Sequence, residues 1–383
     1  MVILNAHLIP VESQEIPCGF LRWEQGIIRE LGPMEEYVPQ PGEEQLDAGG
    51  KLLLPGLIDS HSHVGMWEDG LGLEGDDGNE ECDPCTPHLR AIDAVNPYER
   101  GFETALRSGI TTLVTGPGSA NPIAGQMCAL KTAGRCVDEM VVSHPLAIKM
   151  ALGENPKMTY HEKDSGPITR MATAAVIREQ LYKAKRYLSD LKRARENEDC
   201  DLPEYDIRCE ALLPLLEHKI DAHIHAHRAD DIMTAVRLAE EFDFSLVIVH
   251  GTEGYLIPDL LRESRITGVI TGPVLSTRTK PELARAVYEN SARLADAGIL
   301  TTVCTDHPEV PVDMLAPSSL LAMEGDRRRA LRAITIDAAK ILHLEHRLGS
   351  LAPGKDADFT IWDGDPFAVG TRPEAVFLGG IHR

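Results

Sequence analysis

The sequence has no uncharged apolar run long enough to cross a bilayer, which takes about 20 residues in a helix. Its opening residues lack the basic and apolar segments of a secretory signal, so we expect a cytoplasmic protein. Positive charge is scarce: 38 Lys and Arg stand against 60 Asp and Glu, a formal net charge of -22. Such a surface repels phosphates and anionic lipids, which argues against nucleic acid and membranes as partners.

Cysteine is present without a recognisable pattern. The 8 cysteines are scattered, and Cys82 and Cys85 form the only closely spaced pair. A structural zinc site takes about four ligands, and no second pair with this spacing completes one. We interpret these thiols as incidental members of an acidic, glycine-rich loop in a reducing compartment, with zinc or redox use of the pair as the alternative.

Both ends of the chain are rich in short apolar runs separated by polar turns, a pattern typical of β-strands. These runs cover residues 2–4, 19–23, 26–31, 358–362 and 375–378. The two ends of a domain often lie close together. We therefore predict a small β-sandwich domain built from residues 1–54 and 347–383.

The middle of the chain, residues 55–346, alternates strand-like and helix-like segments. Strand patterns occur at residues 57–59, 111–114, 146–148, 222–224, 246–249, 268–270 and 300–303, and helical patterns at 173–192, 230–242 and 281–296. This alternation predicts an α/β fold with a parallel sheet, and the length suits a TIM-like (β/α)8 barrel of roughly 250 residues. An open doubly wound sheet is the alternative, but its Gly-rich phosphate turn is absent.

The first barrel strand ends in His61-Ser62-His63. Side chains alternate along a strand, so the two imidazoles point the same way. At the carboxyl end of a barrel strand, two inward imidazoles can bind one metal ion. A pair of surface histidines is the alternative interpretation of this motif.

Three later strands also end in polar side chains. One strand carries His223, His225 and His227 at alternate positions, the next apolar strand ends in His250, and the last is followed by Asp306. A buried core histidine or a helix-capping aspartate would explain any one of these positions. Four strands that all end in this way indicate a site on the barrel rim, where the chemistry of this fold is located.

Lys149 interrupts an apolar run over residues 146–152, and Glu154 follows just beyond it. An isolated buried ammonium group is strongly disfavoured. Lys149 therefore either points outward between helices or serves the site. Either residue is a candidate anionic metal ligand, Lys149 only after carbamylation.

The chain resembles the amidohydrolase superfamily, most closely its imidazolonepropionase-like members. The residues that carry the resemblance are the segments at 55–63, 225–227, 250 and 305–308, and the tail at 349–358. The resemblance covers nearly the whole chain and implies one or two divalent ions, with zinc the expected metal. It implies metal ligands at His61, His63 and His225. It assigns His250 to a second metal or to polarisation of the substrate, Asp306 to the metal site and to proton transfer, and a bridging role to Lys149 or Glu154.

One position departs from that family's pattern. Imidazolonepropionases and many deaminases of the superfamily carry a Glu just after the fifth-strand histidine, whereas this sequence continues His227-Arg228-Ala229-Asp230. The departure argues against ring deamination and against the imidazolonepropionase reaction itself. It favours hydrolysis of a simpler amide, cyclic amide or peptide-like C–N bond by metal-activated water.

The resemblance thus predicts an enzyme acting on a small molecule, and a homo-oligomer is the common default for such a chain. A ring-amine deaminase and a non-catalytic binding or assembly protein are the alternatives. The acidic loop at 68–87 is expected to lie over the site. Four further side chains are candidates for positioning the substrate: Arg170, His227, Arg228 and His307.

Overall fold

Two eight-stranded sheets organise the chain in the computed structural model, which describes residues 1–68, 72–197 and 199–383. The strands are β1 (Val2–Leu8), β2 (Ile16–Glu24), β3 (Ile27–Pro33), β4 (Gln45–Asp47), β5 (Leu52–Pro55), β6 (Leu57–Ser62), β7 (Ile110–Thr115), β8 (Ile123–Lys131), β9 (Val141–Ala151), β10 (Asp221–Ala226), β11 (Leu246–His250), β12 (Ile266–Thr271), β13 (Thr301–Val303), β14 (Phe359–Trp362), β15 (Ala375–Leu378) and β16 (Ile381–His382). The helices are α1 (Arg100–Arg107), α2 (Val137–Met140), α3 (Glu154–His161), α4 (Arg170–Glu196), α5 (Ile207–Leu216), α6 (Ala229–Phe242), α7 (Pro258–Glu263), α8 (Asn290–Asp296), α9 (Leu315–Ala322), α10 (Arg327–Ala333) and α11 (Ile336–Ile341).

The first sheet joins the two ends of the chain, as the sequence predicts. Its order is β16-β15-β14-β5-β1-β2-β3, with β4 also pairing with β1. Strand β14 pairs antiparallel with β5, so the C-terminal segment returns directly onto the N-terminal strands. Trp23 lies edge-on to Phe359 and Phe377, with ring centroids 5.2 and 5.6 Å apart, and these aromatic rings fill the core of the small β-sandwich.

The second sheet is the predicted TIM-like barrel, in the order β6 to β13. Its neighbours are parallel except around β8, which runs antiparallel to both β7 and β9. Strands β6 and β13 meet where the hydroxyls of Ser60 and Thr302 lie 2.6 Å apart and the Asp306 N–H donates to the His61 carbonyl at 3.1 Å. All seven strands predicted for the barrel overlap real strands. Strand β8 was missed because it forms hairpin-like pairs and so falls outside the strand–helix alternation.

Alternate side chains along the barrel strands point to opposite faces of the barrel wall. Ile148, Ile224 and Ile248 point outward and form one apolar cluster with Ile177 and Leu181 of α4. The intervening positions on these parallel strands, among them Lys149 and His225, face the interior. The apolar helix layer therefore stabilises the barrel from outside and leaves the interior free for polar groups.

Two of the three predicted helices are confirmed as α4 and α6. The third predicted helix, at 281–296, is wrong in its middle part, which is not helical. There the structure has a single 3-10 turn at Pro281–Leu283 and then α8, which begins at Asn290. Arg278 donates to the Ala286 carbonyl at 2.6 Å, so that carbonyl is satisfied outside a helix, and Ala286 lines a cavity instead. None of the described helices is both long and apolar enough to cross a membrane.

A buried ion pair connects the barrel to the sandwich. Lys131, at the end of β8, contacts Asp356 at 3.0 Å and also Asp358, just before β14. The Lys131 and Asp358 side chains are only 13% and 5% exposed. Burial raises the pKa of Asp358, and the Lys131 ammonium opposes that rise.

Replacing Lys131 with Met should therefore destabilise the fold, because it leaves Asp358 buried without its counter-charge. Breaking a buried pair from one side typically costs about 3 kcal/mol or more. The effect should appear as a lower midpoint in urea unfolding and a lower melting temperature.

Lys183→Met is the matched control, because Lys183 pairs with Glu179 on the surface of α4 and its side chain is 58% exposed. Exposed pairs of this spacing contribute roughly 0.3–0.5 kcal/mol. Equal unfolding midpoints for the two variants would contradict the fastening role of Lys131.

Candidate metal centre at the barrel mouth

The carboxyl ends of four barrel strands bring a cluster of buried polar side chains together. His61 lies in β6 with His63 just after it, His225 lies in β10, His250 ends β11, and Asp306 follows β13. Two groups of three have their ligand atoms within 4.8 Å of one another, namely His225 with His227 and His250, and His61 with His250 and Asp306. The site residues predicted on separate strands thus lie side by side.

The hydrogen bonds of two histidines fix which ring nitrogen faces inward. His63 Nδ1 lies 2.7 Å from the Gly116 carbonyl, and His250 Nδ1 lies 2.7 Å from the Gly272 carbonyl. A carbonyl only accepts, so each Nδ1 carries the proton and each Nε2 keeps a free lone pair. Metal-binding histidines are oriented in this way in proteins.

His225 provides the test of whether the cluster suits a metal ion. It is 3% exposed, and neither ring nitrogen has a hydrogen-bond partner among the described residues. Burial, followed by the nearby His250, holds the pKa of His225 well below its usual value, so the ring is neutral. A buried polar group without a partner is costly, and a neutral imidazole is the form that binds metals. The residues present fit a divalent cation.

Lys149 points into the barrel, not outward. It is fully buried, and its Nζ lies 3.0 Å from His61 Nε2. Burial lowers the pKa of Lys149 to about 8. Glu154, the other predicted bridging residue, does not reach the cluster: its backbone N–H donates to Glu282 at 3.0 Å, and its side chain is not among the described residues that line the cavity.

Asp306 is the acidic group of the site. Its Oδ1 lies 3.3 Å from His63 Nε2 and 3.5 Å from His61 Nε2. Burial would raise the pKa of Asp306, but the neighbouring imidazoles of His250 and His63 outweigh that effect and lower the pKa to about 2. Asp306 is therefore a carboxylate at neutral pH.

Asp59, which the sequence analysis did not single out, holds Asp306 in place. Its carboxylate accepts hydrogen bonds from the Thr305 backbone at 3.2 Å and the Thr305 hydroxyl at 2.5 Å. Burial raises the pKa of Asp59 to about 7. The period-two spacing Asp59, His61 and His63 was the available signal, since all three positions share one face of the strand.

A cavity of about 1190 Å³ opens above this cluster. The cluster residues His63, His225, His250, Lys149 and Asp306 form its floor. Its walls include Glu68, Asn79 and Glu81 from the predicted acidic loop at 68–87, of which residues 69–71 lie outside the described part of the chain, and Trp67 just before that loop. The walls also include Arg278, Lys280 and Tyr288 from the segment after β12.

Of the four predicted substrate-positioning residues, only His227 lines the cavity. Its Nδ1 lies 2.7 Å from the Thr252 hydroxyl, and its ring stacks on His250 with centroids 4.7 Å apart. The structure does not bring Arg170 and Arg228 to the cavity wall, because Arg170 pairs with Asp231 and the exposed Arg228 pairs with Asp230.

The fourth predicted residue, His307, lies beside the cavity. Its neighbours Asp306 and Pro308 line the cavity, whereas His307 itself is not among the described lining residues. Its carbonyl accepts the His63 N–H at 2.9 Å, so its backbone supports His63.

Comparison with known proteins places this site in a family. The model of the amidohydrolase family matches residues 52–380, most of the chain. The chain belongs to the amidohydrolase family. A crystal structure of an amidohydrolase from Thermotoga maritima MSB8 is similar over 100% of this chain and 98% of that one, with 41% identity and a TM-score of 0.95.

Two further relatives have a lower sequence identity to this chain. Amidohydrolase tasK of Hapsidospora irregularis is 30% identical over 87% of this chain, which spans only 36% of that protein's length. An imidazolonepropionase of Geobacillus thermodenitrificans is 24% identical over 92% of this chain and 85% of its own. The predicted family, with its imidazolonepropionase-like relatives, is therefore confirmed.

The structure also shows where this amidohydrolase places the residues after the fifth-strand histidine, at which its sequence departs from the family pattern. Arg228 occupies the start of α6 and turns outward to Asp230. A different carboxylate, Glu282, is buried nearby, with its Oε1 3.7 Å from His227 Nε2. No sequence signal linked Glu282 to the site, because it lies in the segment predicted as a continuous helix.

If the cluster holds a metal, purified protein should contain one or two equivalents of a divalent transition metal, and the double variant His61→Ala/His63→Ala should lose it. Removing two buried imidazoles removes two of the neutral ligands that zinc favours. Elemental analysis per chain measures the content directly.

The matched control replaces two exposed histidines outside the site, His218→Ala/His346→Ala, and should keep the wild-type metal content. Wild-type protein that neither contains metal nor takes it up on reconstitution would contradict the metal centre.

Proposed function

We propose that the chain is a metal-dependent hydrolase that breaks the C–N bond of an amide or cyclic amide in a small molecule. The observation that carries this proposal is the buried His225, both of whose ring nitrogens lack partners among the described residues, beside the ionised Asp306 at the base of a large cavity. A neutral ligand set next to an anionic base suits hydrolysis by metal-activated water.

The residues that would hold the metal are His61, His63, His225 and Asp306, with His250 and Lys149 available for a second ion. Imidazole and carboxylate ligands favour zinc among the common divalent metals. The bound cation supplies Lewis acidity, which lowers the pKa of a water molecule to about 7. Lys149 would bind a metal ion only as its carbamate, which forms when the neutral amine adds carbon dioxide and releases a proton, and the lowered pKa of Lys149 increases the fraction of neutral amine.

Asp306 accepts the proton of the attacking water in this mechanism. Its low pKa keeps it deprotonated before attack, and its position against His63 holds its Oδ1 over the cluster. The same carboxyl group then returns the proton to the leaving nitrogen, which makes the amine a better leaving group. Asp59 and Thr305 keep this group oriented throughout.

His250 is placed to bind a metal ion rather than to polarise the carbonyl of the substrate. Its Nδ1 donates to the Gly272 carbonyl, so its Nε2, 4.0 Å from Asp306 Oδ2, has a lone pair and no proton to donate. Burial lowers the pKa of His250 to about 4, so the ring is neutral at neutral pH. The name of the imidazolonepropionase relatives denotes action on a ring with a C–N bond, which supports a cyclic amide for this chain as well.

Replacing Asp306 with Asn should reduce kcat by about 100- to 10,000-fold, because general acid–base catalysis contributes that much. Metal content should stay close to that of wild type, since the amide oxygen and the histidines remain. The measurement is steady-state hydrolysis of a panel of amides, lactams and dipeptides by metal-loaded protein.

Glu309→Gln is the matched control, because Glu309 also lines the cavity, only three positions further along the chain. It should retain a kcat within a few-fold of wild type. Near-normal turnover in Asp306→Asn would contradict the role of Asp306. Release of ammonia from ring amines would point to the deaminase alternative, and the absence of any turnover in metal-loaded protein to the non-catalytic one.

A further inference from the structure

Besides Lys149 on its floor, the cavity has two cationic side chains in its wall, Arg278 and Lys280, and neither has a carboxylate within 4.0 Å among the described residues. Both residues come from the segment after β12. Acidic residues outnumber basic ones 60 to 38 in this chain. An unpaired cation that faces a large cavity is available to a negatively charged group of a bound molecule.

Lys280 is held in place by neutral partners. Its Nζ donates to Asn155 Oδ1 at 2.7 Å, and Asn155 Nδ2 donates to the Ser119 hydroxyl at 2.6 Å. An ammonium group has three N–H donors, so two remain for a ligand. Asn155 and Ser119 also line the cavity, which makes the three side chains a continuous polar strip on its wall.

The Lys280 charge lies within electrostatic range of the metal centre. It contributes to the lowered pKa of His225, His227 and His250. It does not bind the nearby Glu282, whose Oε2 accepts the Glu154 N–H instead and whose pKa burial raises. A negatively charged group of a molecule bound near the cluster is therefore attracted by the Lys280 charge.

The acidic side of the cavity does not neutralise this cation. Glu81 is paired with Lys163 at 2.9 Å, and Glu68 accepts a hydrogen bond from Asn96 at 2.9 Å. Both belong to the wall formed by the loop after β6, whereas Lys280 and Arg278 follow β12. These two carboxylates therefore have partners of their own and leave Lys280 without a counter-charge.

We propose that Lys280 binds a carboxylate of the substrate, with Arg278 as a second cation at the cavity mouth, so that the substrate is an amide or cyclic amide bearing a free carboxylate. This inference rests on the proposed function, which supplies the C–N bond that is broken. The carboxylate lies away from the scissile bond and takes no part in proton transfer.

The test compares matched substrates that differ in one charge: N-acyl amino acids and lactam carboxylates, each beside its neutral carboxamide. Wild-type, metal-loaded protein should prefer the carboxylates. In Lys280→Met, KM for the carboxylates should rise about 10- to 100-fold with kcat nearly unchanged, since a hydrogen bond to a charged group contributes on that scale. The carboxamides should be unaffected, and Arg278→Gln should show a smaller effect of the same kind.

Lys185→Met is the control for loss of a positive charge, because Lys185 is exposed on α4, outside the cavity. Hydrolysis of both substrate types with equal efficiency, unchanged in Lys280→Met, would overturn the carboxylate site and leave the proposed function standing.

If neither type is hydrolysed, the proposed function fails for this panel, and calorimetry of the same carboxylates decides the binding site separately. Binding to wild type that is lost in Lys280→Met supports the site. Equal binding to both proteins, or none to wild type, overturns it.

Discussion

Asp59 accepts two hydrogen bonds from Thr305, and this contact ties the first strand of the barrel to the last. The same junction carries the Ser60–Thr302 hydroxyl pair. Because it closes the ring of strands, it sets Asp306 against His61 and His63, residues more than 240 positions away in the sequence. Without that register the acidic group and the imidazoles would have no common position, and the remaining strand ends would not converge on one site.

Several residues of the site have an energetically unfavourable conformation or environment, and the surrounding fold must offset that cost in free energy. His250 and Asp306 both adopt left-handed backbone angles, with φ of 71° and 54°, which are uncommon for residues other than glycine. His225 is buried without hydrogen-bond partners among the described residues, and Lys149 is buried against an imidazole. An apolar layer of helices outside the barrel stabilises these strands, so that their inner face can carry polar groups arranged for chemistry.

Much of the cavity wall comes from the segments that follow the barrel strands, and these segments differ in charge. The loop after β6 carries the carboxylates of Glu68 and Glu81, and the segment after β12 carries Arg278 and Lys280. This division of labour is typical of barrels, in which the strand ends hold the reacting groups and the loops select the substrate. For the same reason, similarity in the barrel strands identifies the family, whereas the substrate depends on the loops.

The sequence by itself determined the barrel, the small sandwich and the order of the strand-end residues, because period-two alternation dictates which side chains share a face of a strand. His61, His63, His225, His250 and Asp306 could be predicted to converge because they lie where barrel strands end, and the choice of His225 among three alternating histidines rested on the resemblance to the superfamily. Only the tertiary structure decided that Lys149 reaches the cluster while Glu154 does not, and that Lys280 lines the cavity while Arg170 and Arg228 pair elsewhere. Side chains in loops and at helix starts follow no period of two, and their direction depends on ion pairs with residues distant in sequence, such as Arg170 with Asp231.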